Sequence, residues 1–214
     1  MKAIFFDFDG TLADTAPGII CTMQETFKAM QLPLPTEEEI RQTIGMPLVQ
    51  AIKVLGHFDD EGAERGTAFY RKLYYEFEIN NIGIFPGVEE TIKVLAGLGI
   101  RMAICTSRNR DSLETILGRY GLLSYFETSV TNSDHLAPKP APDMVNVLLS
   151  RMNLTKEEAL VVGDTTFDIE MGNRAGCRTI AVKYGNHTPE QLQQAHPTWI
   201  IDQFPELKDL VEKM

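Results

Sequence analysis

The chain has 214 residues, 43% hydrophobic and 23% charged, with a formal net charge of −10. That length supports one core domain plus a modest insertion. The composition excludes a disordered or collagen-like chain, and no run approaches the ~18 apolar residues of a membrane span. A surface this acidic repels nucleic acid and anionic lipid, so neither is expected as a partner. An anionic substrate must therefore find positive charge locally. Cys21, Cys105 and Cys177 are odd in number, widely spaced and without a Cys-x-x-Cys, which argues against disulfides and a zinc site. They read as small buried hydrophobes. The N-terminal apolar run meets Asp7 too soon for a secretory signal, so a cytoplasmic location is expected.

Taken in chain order, Ala3–Phe6 is too short for a helix and reads as a buried strand ending at Asp7. Similar runs recur at 101–105, 128–131, 159–162 and 179–182. Helical spacing separates them at 88–98, 109–120, 142–152 and 167–175. Alternating strands and helices predict a parallel sheet wrapped by helices. Residues 16–82 break the alternation. Thr36-Glu37-Glu38-Glu39 is a capping-box start, placing a helix at 36–44. Residues 48–55 and 66–79 also carry helical spacing. The stretch reads as a helical insertion after the first strand, closed by the turn-rich Gly83-Ile84-Phe85-Pro86-Gly87. The expected organisation is a core of 1–14 and 83–214 with an all-α unit over 15–82.

Four clusters follow predicted strands, at the sheet end where open parallel sheets bind ligands. Asp7-Phe8-Asp9-Gly10-Thr11 puts two carboxylates on one side of an extended chain. Such a pair can hold a divalent cation and leave an oxygen to attack phosphorus. Thr106-Ser107-Arg108 offers hydroxyls, a backbone N–H and a charge to phosphate, although Ser and Thr there also serve as helix caps. Lys139 sits in the stiff run Pro138-Lys139-Pro140-Ala141-Pro142. Gly163-Asp164-Thr165-Thr166-Phe167-Asp168 ends a strand in a carboxylate, with a second acid one helical turn on. Asp164 or Thr165 is the candidate N-cap. His57, His135, His187 and His196 are scattered in polar surroundings and read as surface residues.

These four clusters, in this order, resemble the haloacid dehalogenase-like phosphohydrolase superfamily over the whole chain. The resemblance implies a Rossmann-like α/β core with a small all-α cap inserted after the first strand. It implies Asp7 as nucleophile, forming an aspartyl phosphate, and Asp9 as general acid and base. It implies magnesium held by Asp7, the backbone carbonyl of Asp9, and Asp164, with Asp168 supporting from behind. Lys139 would offset the phosphoryl charge, and Thr11, Thr106, Ser107 and Arg108 would meet the substrate. Positioning and charge neutralisation are what phosphoryl transfer needs.

The helical insertion resembles the mobile cap of one large subgroup. Its turn Gly45-Met46-Pro47-Leu48, together with Gly163-Asp164-Thr165, looks most like phosphoglycolate phosphatase, with Met46 as a specificity residue. Related pyrophosphatases are an alternative. Mutases of the beta-phosphoglucomutase kind usually carry Glu-Asp where this chain has Gly163-Asp164. The phosphonate hydrolase's cap lysine, three residues after a glycine, is Leu48 here, and Lys53 reads as a solvent-facing charge. A different class, a phospho-accepting receiver module, also gathers acids and a lysine at strand ends, but it lacks such an insertion. The expected partner is a small phosphorylated metabolite, handled by a monomer or homodimer.

Overall fold

In a computed structural model, residues 1–77 and 82–214 are described. The chain opens with β1 (Ala3–Phe6), whose four residues are all buried, as a central strand covered on both faces requires. The other sheet strands are β4 (Arg101–Cys105), β5 (Thr128–Val130), β6 (Ala159–Gly163), β7 (Arg178–Val182) and β8 (Trp199–Ile201). They form one parallel sheet in the order β5-β4-β1-β6-β7-β8. The short strand β8 is an addition: residues 199–201 are too few to stand out from the chain's general apolar content.

Helices cover both faces. α5 (Val88–Gly97), α6 (Arg110–Arg119) and α10 (Glu206–Glu212) supply apolar side chains to one core, including Ile92, Leu95, Leu113, Leu117 and Leu207. α7 (Asp143–Arg151) supplies Met144, Val145 and Leu148 to the other, and α8 (Thr166–Arg174) adds Met171. α9 (Pro189–Gln194) closes the edge, where Leu192 packs with Ile169 of α8 and Ala181 of β7. Among the cysteines, Cys105 and Cys177 are buried and Cys21 is half-buried.

Between β1 and α5 the chain forms α1 (Ala16–Ala29), α2 (Glu37–Arg41), α3 (Leu48–Gly56) and α4 (Asp60–Phe77). These helices bury a cluster of their own, with Met23, Phe27, Ile40, Ile52 and Tyr70 at its centre. The capping box at Thr36 and Glu39 is present, but α2 ends at Arg41, short of the expected 44. α4 begins six residues earlier than the spacing at 66 indicates, and the expected end at 79 lies outside the described residues. The chain leaves and rejoins the core through a two-stranded antiparallel ribbon, β2 (Ala13–Asp14) with β3 (Gly83–Ile84). Lys53 is exposed and pairs with Asp60 at the surface.

The helix layer on the α5 face stabilises the sheet by apolar burial. Ile92→Ala there should cost about 2–5 kcal/mol, the range for truncating a buried Ile. Urea denaturation measures it, and a loss below about 1 kcal/mol would mean that Ile92 does not sit in the core.

Candidate active site

Three adjacent strands deliver the functional groups from their carboxyl ends. β1 gives Asp7, β4 gives Thr106, and β6 gives Asp164. The turn after β1 is tight: Leu12 and Ala13 N–H groups both donate to the Phe8 carbonyl at 3.0 Å. Gly10 has φ +84 in this turn, and a Cβ there would lie 2.2 Å from an Asp164 oxygen. Thr165 caps α8 and Asp168 closes the capping box, so the cap resides at Thr165 and Asp164 stays available to the site.

Asp7, Asp164 and Asp168 each bring a carboxylate oxygen within 4.8 Å of the others, and all three are buried. The Lys139 ammonium, with no exposed side-chain surface, donates to Asp7 Oδ1 at 2.7 Å and to Asp168 Oδ1 at 2.6 Å. Asp168 Oδ2 accepts from the Thr165 hydroxyl at 2.6 Å and the Thr165 N–H at 3.0 Å. Asp164 Oδ1 accepts from the Thr11 hydroxyl at 2.8 Å. Its Oδ2 accepts from the Asn186 backbone N–H and side-chain amide at 2.8 and 2.9 Å. One carboxylate oxygen in the cluster, Asp7 Oδ2, is buried without a partner.

The cluster is short of positive charge. Three carboxylates against one ammonium leave a formal charge of two negative. Burial pushes the Asp7 carboxyl well above its ordinary range, against the opposing pull of Lys139, and the neighbouring acids add to the rise. Burial and then Asp168 push Asp164 up to about 7. Burial disfavours the Lys139 ammonium, but Asp168 and Asp7 outweigh it and hold the charge in place. The donors are all hard oxygens, and the orphaned Asp7 Oδ2 offers a lone pair. The set fits a hard divalent cation whose two charges match the deficit.

Asp9 stands apart from this cluster. Its carboxylate is held by Arg108, whose Nη2 donates to Oδ1 at 2.5 Å and whose Nε donates at 3.0 and 3.1 Å. Arg108 also donates from Nη1 to Ser112 at 2.7 Å and to the Tyr74 hydroxyl at 3.3 Å, which ties it to α4. Ser107 donates to the Gly45 carbonyl at 2.6 Å, and Gln191 Nε2 donates to Gln42 Oε1 at 2.8 Å. These bonds join the helical insertion to the core on both sides of the site. The Thr106 hydroxyl accepts from the Arg108 N–H at 3.2 Å. Met46 is half-buried at the turn before α3 and lines the cavity between insertion and core.

The structure therefore gathers Asp7, Thr11, Lys139, Asp164 and Asp168 at one point, and Asp9, Ser107, Arg108 and Met46 beside it. Residues 184–186 went unread in the sequence. The Tyr184 hydroxyl donates to the Thr11 carbonyl at 2.7 Å, and Asn186 clamps Asp164. His187 is buried, not at the surface as its polar neighbours suggest. Its Nδ1 accepts from the Thr166 N–H at 3.1 Å, and burial holds its imidazole below the ordinary range. The signal lay in position: this loop follows β7, a strand legible from the sequence.

Comparison with known proteins identifies the family. The family model of haloacid dehalogenase-like hydrolases matches residues 4–182, and the chain belongs to that family. Pyrophosphatase PpaX of Halalkalibacterium halodurans is 30% identical over 211 residues, covering 99% of this chain and 97% of the relative. Phosphoglycolate phosphatase of Vibrio parahaemolyticus is 26% identical, covering 99% and 96%. The crystal structure of a predicted phosphoglycolate phosphatase from Haemophilus somnus superposes with a TM-score of 0.90 at 25% identity, covering 99% and 98%. The chain is thus an enzyme of the hydrolase class, which sets aside a receiver module.

Two outcomes test the site's electrostatics and packing. The Asp164 carboxyl titrates near 7 when folded and near 4 when unfolded, so between those values the folded state holds the extra proton. Its contribution to metal-free stability is full below pH ~4 and is lost as pH rises through about 7. Asp164→Asn should flatten that part of the pH dependence of Tm, and an unchanged slope would contradict the assignment. Separately, a Cβ at Gly163 would lie 2.2 Å from Asp168 Cβ. Gly163→Ala should displace the carboxylate that braces Lys139 and cut kcat by at least about tenfold. Wild-type kcat would show that the contact is soft.

Proposed function

We propose that this haloacid dehalogenase-like phosphatase hydrolyses small phosphate monoesters in two steps on Asp7. The observation that carries the reading is Asp7 Oδ2: buried, without a hydrogen-bond partner, and fixed in direction because Lys139 holds the other oxygen of the same carboxylate. In the first step Asp7 Oδ2 bonds to phosphorus as the bond to the leaving oxygen breaks, and Asp9 gives that oxygen a proton. In the second, Asp9 takes a proton from water as the water attacks phosphorus, and the Asp7 carboxylate is released. Lys139 offsets phosphoryl charge and fixes Asp7 throughout.

Asp7, Asp164 and the Asp9 backbone carbonyl would hold magnesium, which supplies the charge neutralisation that lets a carboxylate approach a phosphate dianion. The charge deficit of the cluster supports a divalent ion, and the all-oxygen donor set supports a hard one. Asp168 acts through Lys139 and Thr165. Thr11 acts through Asp164, and Thr106, Ser107 and Arg108 border the phosphoryl position. The unit over 15–82 serves as a cap that closes on the substrate and excludes water, a role supported by its own apolar cluster and its ribbon connection.

The names of the relatives support phosphoglycolate, the first choice, and pyrophosphate as small substrates to assay. Gly163 speaks against a mutase, because a glutamate there has no room while Asp168 keeps its place. Among the described residues no helix is long and apolar enough to cross a membrane. The reading keeps a small cytoplasmic metabolite as partner and a monomer or homodimer, with the acidic surface turning away nucleic acid and anionic lipid.

Release of inorganic phosphate tests the assignment. Asp7→Asn should abolish turnover and Asp9→Asn should lower it about 10²–10⁴-fold. Chelator should stop the wild type, magnesium should restore it, and calcium should substitute poorly. A tenth of wild-type turnover surviving in Asp7→Asn would refute the nucleophile, and full activity in excess chelator would refute the metal.

A further inference from the structure

Asp164 is held by one residue on one of its two oxygens. Oδ2 accepts from the Asn186 backbone N–H at 2.8 Å and from the Asn186 side-chain amide at 2.9 Å. A carboxylate oxygen has two lone pairs in its plane, so Oδ2 has none left. Oδ1 accepts one bond, from the Thr11 hydroxyl at 2.8 Å, and keeps a lone pair. Asp164 can therefore give a cation one oxygen and not two.

The surrounding chain is shaped to this clamp. A Cβ on Gly185 would lie 2.2 Å from the Asp164 Cβ, so only glycine lets the chain pass close enough to present the next N–H. A Cβ on Gly10 would lie 2.2 Å from Asn186 Nδ2, which closes the other side. The amide cannot face the other way, because its Oδ1 would then meet Asp164 Oδ2, acceptor against acceptor. Asn186 Oδ1 is itself buried and has no partner among the described residues. The side chain thus serves Asp164 alone and leaves its own acceptor unsatisfied, a penalty that a residue kept only for packing would not carry.

The number of oxygens a carboxylate offers separates two common hard cations. Calcium gathers more oxygens than magnesium and readily takes both from one carboxylate. Magnesium holds a tight octahedron of single oxygens and waters. We propose that Asn186 is a positioning residue that sets the cation preference of the site: by closing Asp164 Oδ2 it favours magnesium over calcium. This rests on the phosphatase reading above, in which Asp164 is a metal ligand, and it traces poor substitution by calcium to one side chain.

The test is direct binding, by isothermal titration calorimetry of the metal-free chain with magnesium chloride and with calcium chloride, without substrate. The wild type should bind magnesium more tightly. Asn186→Ala should weaken magnesium about 10–100-fold, the range for losing a partner behind a metal ligand. Calcium should lose little or gain, so the ratio of the two dissociation constants moves about tenfold or more toward calcium. Asn186→Ser, too short to reach Asp164 yet still polar, should shift the ratio alike, and it stands in for an Ala variant that does not fold. Tyr184→Phe removes the loop's bond to the Thr11 carbonyl and should leave the ratio unchanged. Equal weakening of both cations in the Asn186 variants, no change in either, an equal ratio shift in Tyr184→Phe, or a wild type that prefers calcium would each overturn the proposal while leaving the phosphatase reading intact. A wild type that binds neither cation would overturn both the proposal and the metal assignment beneath it.

Discussion

A single ammonium buried among three carboxylates governs this molecule. Lys139 has no exposed side-chain surface and bonds both Asp7 and Asp168. A charge so placed is tolerable only with partners, and a carboxylate so placed is tolerable only with a cation. The residues are distant in sequence: Asp7 ends β1, Asp168 lies in the first turn of α8, and Lys139 comes from the loop before α7. The parallel sheet brings them together. The unpaired oxygen on Asp7 and the leftover negative charge then fit a hard divalent cation.

Around that centre the groups divide by distance from Asp7 Oδ2. Thr11, Asn186 and Thr165 satisfy Asp164 and Asp168 from neutral donors, which fixes geometry without cancelling charge. Asp9 is held separately by Arg108, and Arg108 is held by Ser112 and Tyr74. The Asp9 carboxylate is thereby linked to α4 of the insertion. The acids follow strands of the sheet, and the insertion reaches Ser107 and Arg108 through Gly45 and Tyr74. Its residues line much of the cavity beside Asp9.

Much of this was legible in the sequence because it depends on short-range rules. Ala3–Phe6 is a four-residue apolar run, too short for a helix, and a run of that kind ending in a carboxylate locates both a central strand and a site. The capping box at Thr36 follows from Thr-x-x-Glu spacing, and Thr165 is one of the two N-cap candidates the sequence offers. What escaped depends on tertiary placement. The clamp by Asn186 is invisible because an Asn in a polar loop carries no periodic signal. His187 is buried against the start of α8, where the Thr166 N–H bonds it and the Phe167 ring lies 5.5 Å away, whatever its sequence neighbours. The Arg108–Asp9 pair spans 99 positions, and no local pattern records it. α2 stops early because turns occupy 42–46, and those turns carry Met46 to the cavity.

The central claim is that Asp7 makes the bond to phosphorus. Quenching the enzyme during steady turnover and reducing any acyl phosphate with borohydride converts a phosphorylated aspartate to homoserine, which peptide mass spectrometry locates. The account predicts homoserine at position 7 alone, dependent on substrate and magnesium. Homoserine at 9, 164 or 168, or its absence at 7 under conditions of full turnover, would contradict it.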